Sequence, residues 1–244
     1  MIDIKLKIFI KNELHGWTLF ETFWLILSVA VITALSFYWG DSPVAVISSV
    51  AGVMYSICAG KGKLCAYFFG VINCVLYALI AFKATFYGET MLNIIYYLPM
   101  QFVGFYVWQK NMNPQTHEVK KNHLSSKNRI FLLVAIAVST VLYGFLLQRL
   151  GDKMPFVDSF TTVSSVFAMI ITVKMCSEQW WIWFAVNLLS VFMWWKDFSG
   201  GSDNIATLLM WIIYLFTSVF MLIKWEKEIY LNSKEQSVHP PSNS

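Results

Sequence analysis

The chain has 244 residues and a formal net charge of +4; 57% of its residues are apolar, 17% aromatic and 13% charged. With a mean hydropathy of +0.58, this composition excludes an ordinary soluble domain. The modest basic excess reads as a signal for membrane orientation and lipid headgroups, with no nucleic-acid partner.

Residues 1–20 carry Lys5, Lys7 and Lys11 among apolar residues and are expected to lie along a membrane surface. Eight nearly charge-free segments follow, near 22–39, 43–60, 64–82, 90–109, 130–148, 157–173, 179–195 and 204–223. Each is close to the roughly 17–20 residues a helix needs to cross the hydrocarbon core. The fold class is therefore an all-α polytopic membrane protein with eight transmembrane helices. The first segment is too long for a signal-peptide core and runs into "WGDSP" without a small-residue cleavage site, so it reads as a retained helix. From Lys227 the chain turns polar and ends "HPPSNS", a tail expected to be disordered.

With eight spans, one side of the membrane collects 14 of the 18 basic residues, leaving Lys83, Arg149, Lys153 and Lys196 on the other. That asymmetry places both termini in the cytoplasm. A shift of 114 residues lays 43–60 on 157–174, 64–82 on 178–196 and 90–109 on 204–223, and pairs Asn73 with Asn187, Phe102 with Phe216 and Lys110 with Lys224. The chain divides accordingly: an N-terminal segment and extra helix (1–42), a three-helix repeat (43–109), a loop and connecting helix (110–156), a second repeat (157–225) and a tail (226–244). Two units of three helices joined by one connector are parallel repeats about an axis along the membrane normal.

Asn73 and Asn187 then occupy related positions near the bilayer midplane. An amide left unpaired in hydrocarbon is costly, so both should point into the bundle or a wet cavity. Trp180, Trp183 and Asn187 fall at i, i+3 and i+7, on one helical face. In "YFFGVIN", Phe69 stands four residues before Asn73, where the second unit has Trp183. Pro99 interrupts the backbone ladder of the third helix at a depth where that is tolerated beside a cavity. Asn93, Tyr97, Gln101, Gly104 and Trp108 form a stripe there, answered by Asn204, Thr207, Trp211 and Tyr214. The implied cavity offers amides, hydroxyls and aromatic faces without formal charge.

Plainer readings stand beside these. An aromatic belt accounts for Trp181, Trp194 and Trp195; Trp180 fits belt or site, whereas Trp183 is deeper and shares a face with Asn187. Any single amide serves equally as hydrogen-bonding glue between helices, but Asn73, Gln101 and Asn187 converge at one depth. Tyr97 and Trp211 stay undecided between core packing and substrate. Glu89, Asp197 and Asp203 sit at outer helix ends, where a solvated loop is the first reading. His15, His117, His123 and His239 lie outside the spans. Cys58, Cys65, Cys74 and Cys176 lack metal-ligand spacing and read as reduced thiols. "AGKGKLC" lacks phosphate-loop spacing. No nucleophile-and-base constellation appears, so neither an enzyme nor a cofactor is expected.

The motifs "YFFGVIN" (67–73), "GFYVW" (104–108) and W-x-x-W-x-x-x-N from Trp180 through Trp183 to Asn187 resemble those of the PnuC family of bacterial nicotinamide riboside transporters, over about residues 43–225. The first helix is extra to the seven-helix core of that family. The resemblance implies a three-plus-one-plus-three bundle related in architecture to SWEET sugar transporters, a homotrimer in the inner membrane, and facilitated diffusion of a ribosylated vitamin that a cytoplasmic kinase traps by phosphorylation. It maps the family's functional positions onto Asn73, Gln101, Trp183 and Asn187, with Phe69 and Trp180 beside them.

The residues agree on chemical grounds. Aromatic faces attract a pyridinium cation by about 0.5–2 kcal/mol, and Asn and Gln match hydroxyls and a carboxamide that both donate and accept. A phosphate would enter spans that carry no Lys or Arg, and would be excluded. Proton coupling usually relies on a titratable Asp, Glu or His within the membrane, and none is expected there, which favours an uncoupled facilitator. Two alternatives remain at this stage: another cationic aromatic vitamin such as thiamine, and a non-transporting receptor or scaffold whose amides are helix glue.

Overall fold

The computed structural model describes residues 2–84, 87–149, 151, 155–201 and 205–238, and every regular element among them is a helix. In order these are α1 (Ile2–Glu13), α2 (Leu19–Trp39), α3 (Pro43–Lys61) and α4 (Cys65–Lys83). A rod follows, made of α5 (Tyr87–Met91), a π-helical turn (Leu92–Tyr97) and α6 (Leu98–Lys110). Then come α7 (Ser126–Arg149), α8 (Pro155–Val173), α9 (Gln179–Ser199) and α10 (Ile205–Val238). Thr18 and Glu21 form a reciprocal capping box at the start of α2, and Ser42 caps α3 ahead of Pro43. Lys153, Asp203, Asn204 and His239 lie outside the described residues.

Six helices, α2, α3, α4, α7, α8 and α10, are long and apolar enough to cross a membrane. The other two expected spans take a different form. Helix α9 has the length, at 21 residues, but Gln179, Asn187, Lys196, Asp197 and its tryptophans dilute its hydropathy. The segment at 90–109 is interrupted by the π-helical turn just before Pro99, a residue with no N–H to give the preceding turn; the Leu98 N–H instead reaches the Asn93 carbonyl, five residues back.

Helix α3 packs on α4 and α10, α9 packs on α8 and α10, and α8 also meets α6 and the π-helical turn. The first helix of each expected unit therefore meets the third helix of the other. Two fully buried indoles fasten these crossings: Trp108 Nε1 donates to the Thr172 carbonyl (3.1 Å), and Trp225 Nε1 to the Gly60 carbonyl (2.7 Å). Helix α2 leans on α3 and α10, and α7 on α8. These two helices are peripheral, with 22% and 17% of their apolar windows buried against 61% for α3. Large side chains such as Phe131, Leu133 and Leu142 of α7 remain exposed, as lipid-facing residues are.

The basic face of the bundle is closed by an ionic network. Lys61 pairs with Glu21 (3.0 Å) and Glu118 (3.1 Å), Lys121 with Glu118 (3.1 Å) and Glu228, and Lys224 with Glu21 and Glu228. Lys63, fully buried, donates to the carbonyls of Asn12 (3.1 Å) and His117 (3.0 Å), and burial lowers its pKa. The hydrophilic loop at 111–125 is ordered into this layer. Val119 N–H donates to the Gly62 carbonyl and Asn122 N–H to the Met175 carbonyl, so the loop links the α3–α4 and α8–α9 turns. The polar segment expected to be disordered is corrected as far as Val238: α10 continues through it, because "EKEIYLNSKEQSV" contains neither Gly nor Pro.

Burial alone would raise the Glu118 pKa, but Lys121, Lys224 and Lys61 outweigh it and hold the carboxyl below its ordinary value. Its stabilisation is therefore complete above the ordinary carboxylate range and lost as pH falls through the depressed pKa. Glu118→Gln should destabilise the detergent-purified protein by about 1–3 kcal/mol at pH 7. The gap in Tm between variant and parent should narrow as the buffer is taken to strongly acid pH; a gap independent of pH would mean that Glu118 acts through packing rather than charge.

Candidate functional site

A cavity lies in the middle of the bundle, walled by α3, α4, the rod, α8, α9 and α10, with no residue of α2 or α7 on its wall. Of the nine residues singled out from sequence, eight line it: Asn73, Asn93, Tyr97, Gln101, Trp180, Trp183, Asn187 and Trp211. Phe69 does not. It packs partly buried against the cluster around Tyr67 and Trp108, because the two units are not related closely enough to carry it onto the Trp183 position.

Trp183 Nε1 donates to Thr172 Oγ1 (3.0 Å), and its ring lies 6.3 Å from that of Tyr97. Across the cavity, Trp211 stands 6.1 Å from Tyr77 and 5.4 Å from Tyr214. Trp180 is 4% exposed and braced edge-on by Trp225 at 5.7 Å, so it belongs to the interior rather than to a lipid belt. The walls are flat, apolar faces suited to an aromatic ring.

The amides are used unequally. Asn73 Nδ2 is committed to the Ser48 carbonyl (2.9 Å) and stands 3.6 Å from Met210 Sδ, as a helix-joining amide would. Asn187 Oδ1, by contrast, is buried without a hydrogen-bond partner, as are Gln101 Oε1 and Trp180 Nε1. Native interiors leave few such groups unpaired, and those that remain call for an explanation such as a ligand or water. Asn93 Nδ2 is spent on the Glu89 carbonyl (2.8 Å).

Two glycines make room for this arrangement. A Cβ on Gly70 would stand 2.2 Å from Gln101 Oε1, and one on Gly52 would stand 2.3 Å from the Tyr214 hydroxyl and 2.8 Å from Asn73 Nδ2. Within "YFFGVIN", the glycine is thus what admits the amide of the neighbouring helix.

Other expectations change. The stripe from Asn93 splits after Gln101: Gly104 lies against the Tyr67 ring, and Trp108 is the indole clasp to Thr172. Trp194 is 1% exposed and donates to the Tyr77 hydroxyl (3.1 Å), so it is a core residue, while Trp181 and Trp195 are exposed as belt residues are. Thr207 is buried off the cavity wall. Glu89, read as a solvated loop residue, lines the cavity, so the wall does carry an acidic side chain. Tyr55, Cys74, Tyr77, Met169, Thr172, Gln179 and Met210 also line it, and nothing in their spacing separates them from core residues.

A family model described as nicotinamide mononucleotide transporter matches residues 42–227. The chain is 36% identical over 231 residues to the nicotinamide riboside transporter PnuC of Neisseria mucosa, covering 91% of this chain and 87% of that protein. It is 32% identical over 221 residues to the nicotinamide riboside transporter PnuC of Haemophilus influenzae, covering 89% and 95%. A crystal structure of the vitamin B3 transporter PnuC superposes with a TM-score of 0.81 at 35% identity, covering 89% of this chain and 95% of that one. The matched residues include every helix that walls the cavity, and the chain belongs to the PnuC family of transmembrane transporters.

Proposed function

We propose that the protein carries nicotinamide riboside across the bacterial inner membrane by facilitated diffusion, with cytoplasmic phosphorylation by a kinase retaining the imported riboside. The observation that carries this reading is a cavity with aromatic walls and buried unpaired polar atoms on Asn187, Gln101 and Trp180. An amide oxygen and an indole N–H together complement a carboxamide or ribose hydroxyl, and the rings complement the pyridinium face.

The family description and the names of the relatives point to two related cargoes, a mononucleotide and its riboside. The cavity favours the riboside, because among its described lining residues no Lys or Arg is available to a phosphate and the one charged group, Glu89, would repel it. The amides Gln101 and Asn187, with Trp180, Trp183, Trp211, Tyr97 and Asn93, are the proposed substrate-binding residues, while Asn73 lines the cavity beside them with its amide held by Ser48.

The remaining architecture is proposed on the same footing. Eight spans consist of α2 and a three-plus-one-plus-three core with SWEET-related architecture. The repeats at 43–109 and 157–225 are supported by the reciprocal crossing of first and third helices, and a homotrimer is the proposed assembly. Both termini lie in the cytoplasm by the distribution of basic residues.

Calorimetry on the purified protein should show tight binding of nicotinamide riboside, with the mononucleotide at least about 100-fold weaker, since the phosphate loses hydration without a compensating cation. Thiamine binding in place of the riboside would assign the cavity to a different cation. Asn187→Ala should weaken riboside binding about 10- to 100-fold with little change in Tm, whereas Asn73→Ala should lower Tm; a fall in Tm without loss of affinity for Asn187→Ala would make that amide helix glue. In vesicles held at zero membrane potential, riboside should equilibrate and no more, whether or not a proton or sodium gradient is imposed. Accumulation that requires either gradient would replace the facilitator with a coupled carrier.

A further inference from the structure

Glu89 is the one charged residue among the described residues lining the cavity. It sits on α5, at the end of the rod remote from Lys110, and its side chain forms no ion pair with any described Lys, Arg or His. Among the described residues, the ionisable groups named around it are not cationic. Tyr77 comes from α4, Tyr97 from the π-helical turn and Asp158 from α8, and each interacts with it electrostatically.

Its placement is braced. Asn93 Nδ2 holds the Glu89 carbonyl at 2.8 Å, and the next residue, Thr90, donates its hydroxyl to the Ala78 carbonyl of α4 at 3.4 Å. The carboxylate therefore belongs to an anchored turn facing the aromatic walls. A partly desolvated carboxylate without a countercharge is costly, and a bound cation relieves that cost while a neutral ligand does not.

Resting on the riboside reading above, we propose that Glu89 is the charge-selecting residue of the cavity. Its carboxylate faces the cationic ring of the bound riboside and sets the preference for an N-ribosylated pyridinium over an uncharged ring of the same shape. The aromatic faces supply contact with either ring, whereas the carboxylate supplies the discrimination.

The probe is a pair of ribosides that differ in ring charge: nicotinamide riboside, and its dihydropyridine form, which is neutral. Binding of each is measured by calorimetry to the full-length protein and to its Glu89→Gln and Glu89→Asp variants. The parent should prefer the cation by at least tenfold. Glu89→Gln should bring that ratio towards one while leaving affinity for the neutral riboside within about twofold, and Glu89→Asp should keep a preference. The ratio in the parent is read without any variant, so a folding defect in Glu89→Gln leaves the proposal testable through the parent and Glu89→Asp. A ratio near one in the parent, or one that survives Glu89→Gln, overturns the proposal and gives charge selection to no group or to the rings. If the folded parent binds neither riboside, the riboside reading itself fails, and the proposal falls with it.

Discussion

The arrangement of the cavity depends on two buried tryptophan clasps. Trp108 reaches the Thr172 carbonyl and Trp225 the Gly60 carbonyl, so the third helix of each half is held against the first helix of the other. Backbone carbonyls near a helix end lack intrahelical partners, and an indole N–H has one donor and nowhere else to place it when buried. The Trp225 clasp satisfies two groups at once, the Thr172 carbonyl accepts from both Trp108 and the Met175 N–H (2.9 Å), and both clasps fix where the helices cross. The space left between the crossings, towards the other face, is the cavity.

Below the clasps the polar groups are satisfied by one another. Lys61, Glu118, Lys121, Lys224, Glu21 and Glu228 form alternating pairs, and Lys63 is wrapped in carbonyls. Such a layer ties α2, α3, the 111–125 loop and α10 into one surface. A bundle closed this firmly on its basic face has to rearrange that layer, or part of it, for a ligand in the cavity to leave on that side.

Much of this was legible in the sequence where a residue's chemistry conflicted with its surroundings. Asn73, Gln101 and Asn187 stood out because amides are conspicuous in apolar segments, and all three line the cavity. Tyr55, Tyr77 and Met169 were not legible: an aromatic or thioether side chain reads alike whether it faces lipid, core or cavity. Trp194 was misread for the same reason, since its distance from the helix end matches a belt residue while its burial is set by Tyr77 on another helix. Glu89 was misread because a charge at a helix end ordinarily meets water, and only the tertiary packing of α5 shows that it meets the cavity. Phe69 failed differently, through the assumption that a 114-residue shift carries side-chain directions as well as spans.

That last failure bears on how a repeat becomes a binding site. In the proposed repeat the two amides at related positions differ in use, Asn73 bound to Ser48 of its own half and Asn187 left with an unpaired oxygen. A ligand with a ring at one end and a sugar at the other has no internal twofold axis. A strictly symmetric cavity would present it with two equal, opposed orientations and so hold neither firmly. On the proposed riboside reading, spending one amide on the scaffold and keeping the other for the ligand breaks the tie, and Gln101, admitted beside it by Gly70, adds a second group with no counterpart in the other half, where the shift from Gln101 arrives at Leu215. The scaffold can retain the symmetry of its crossings because the clasps need only an indole and a carbonyl, whereas the site has to give it up.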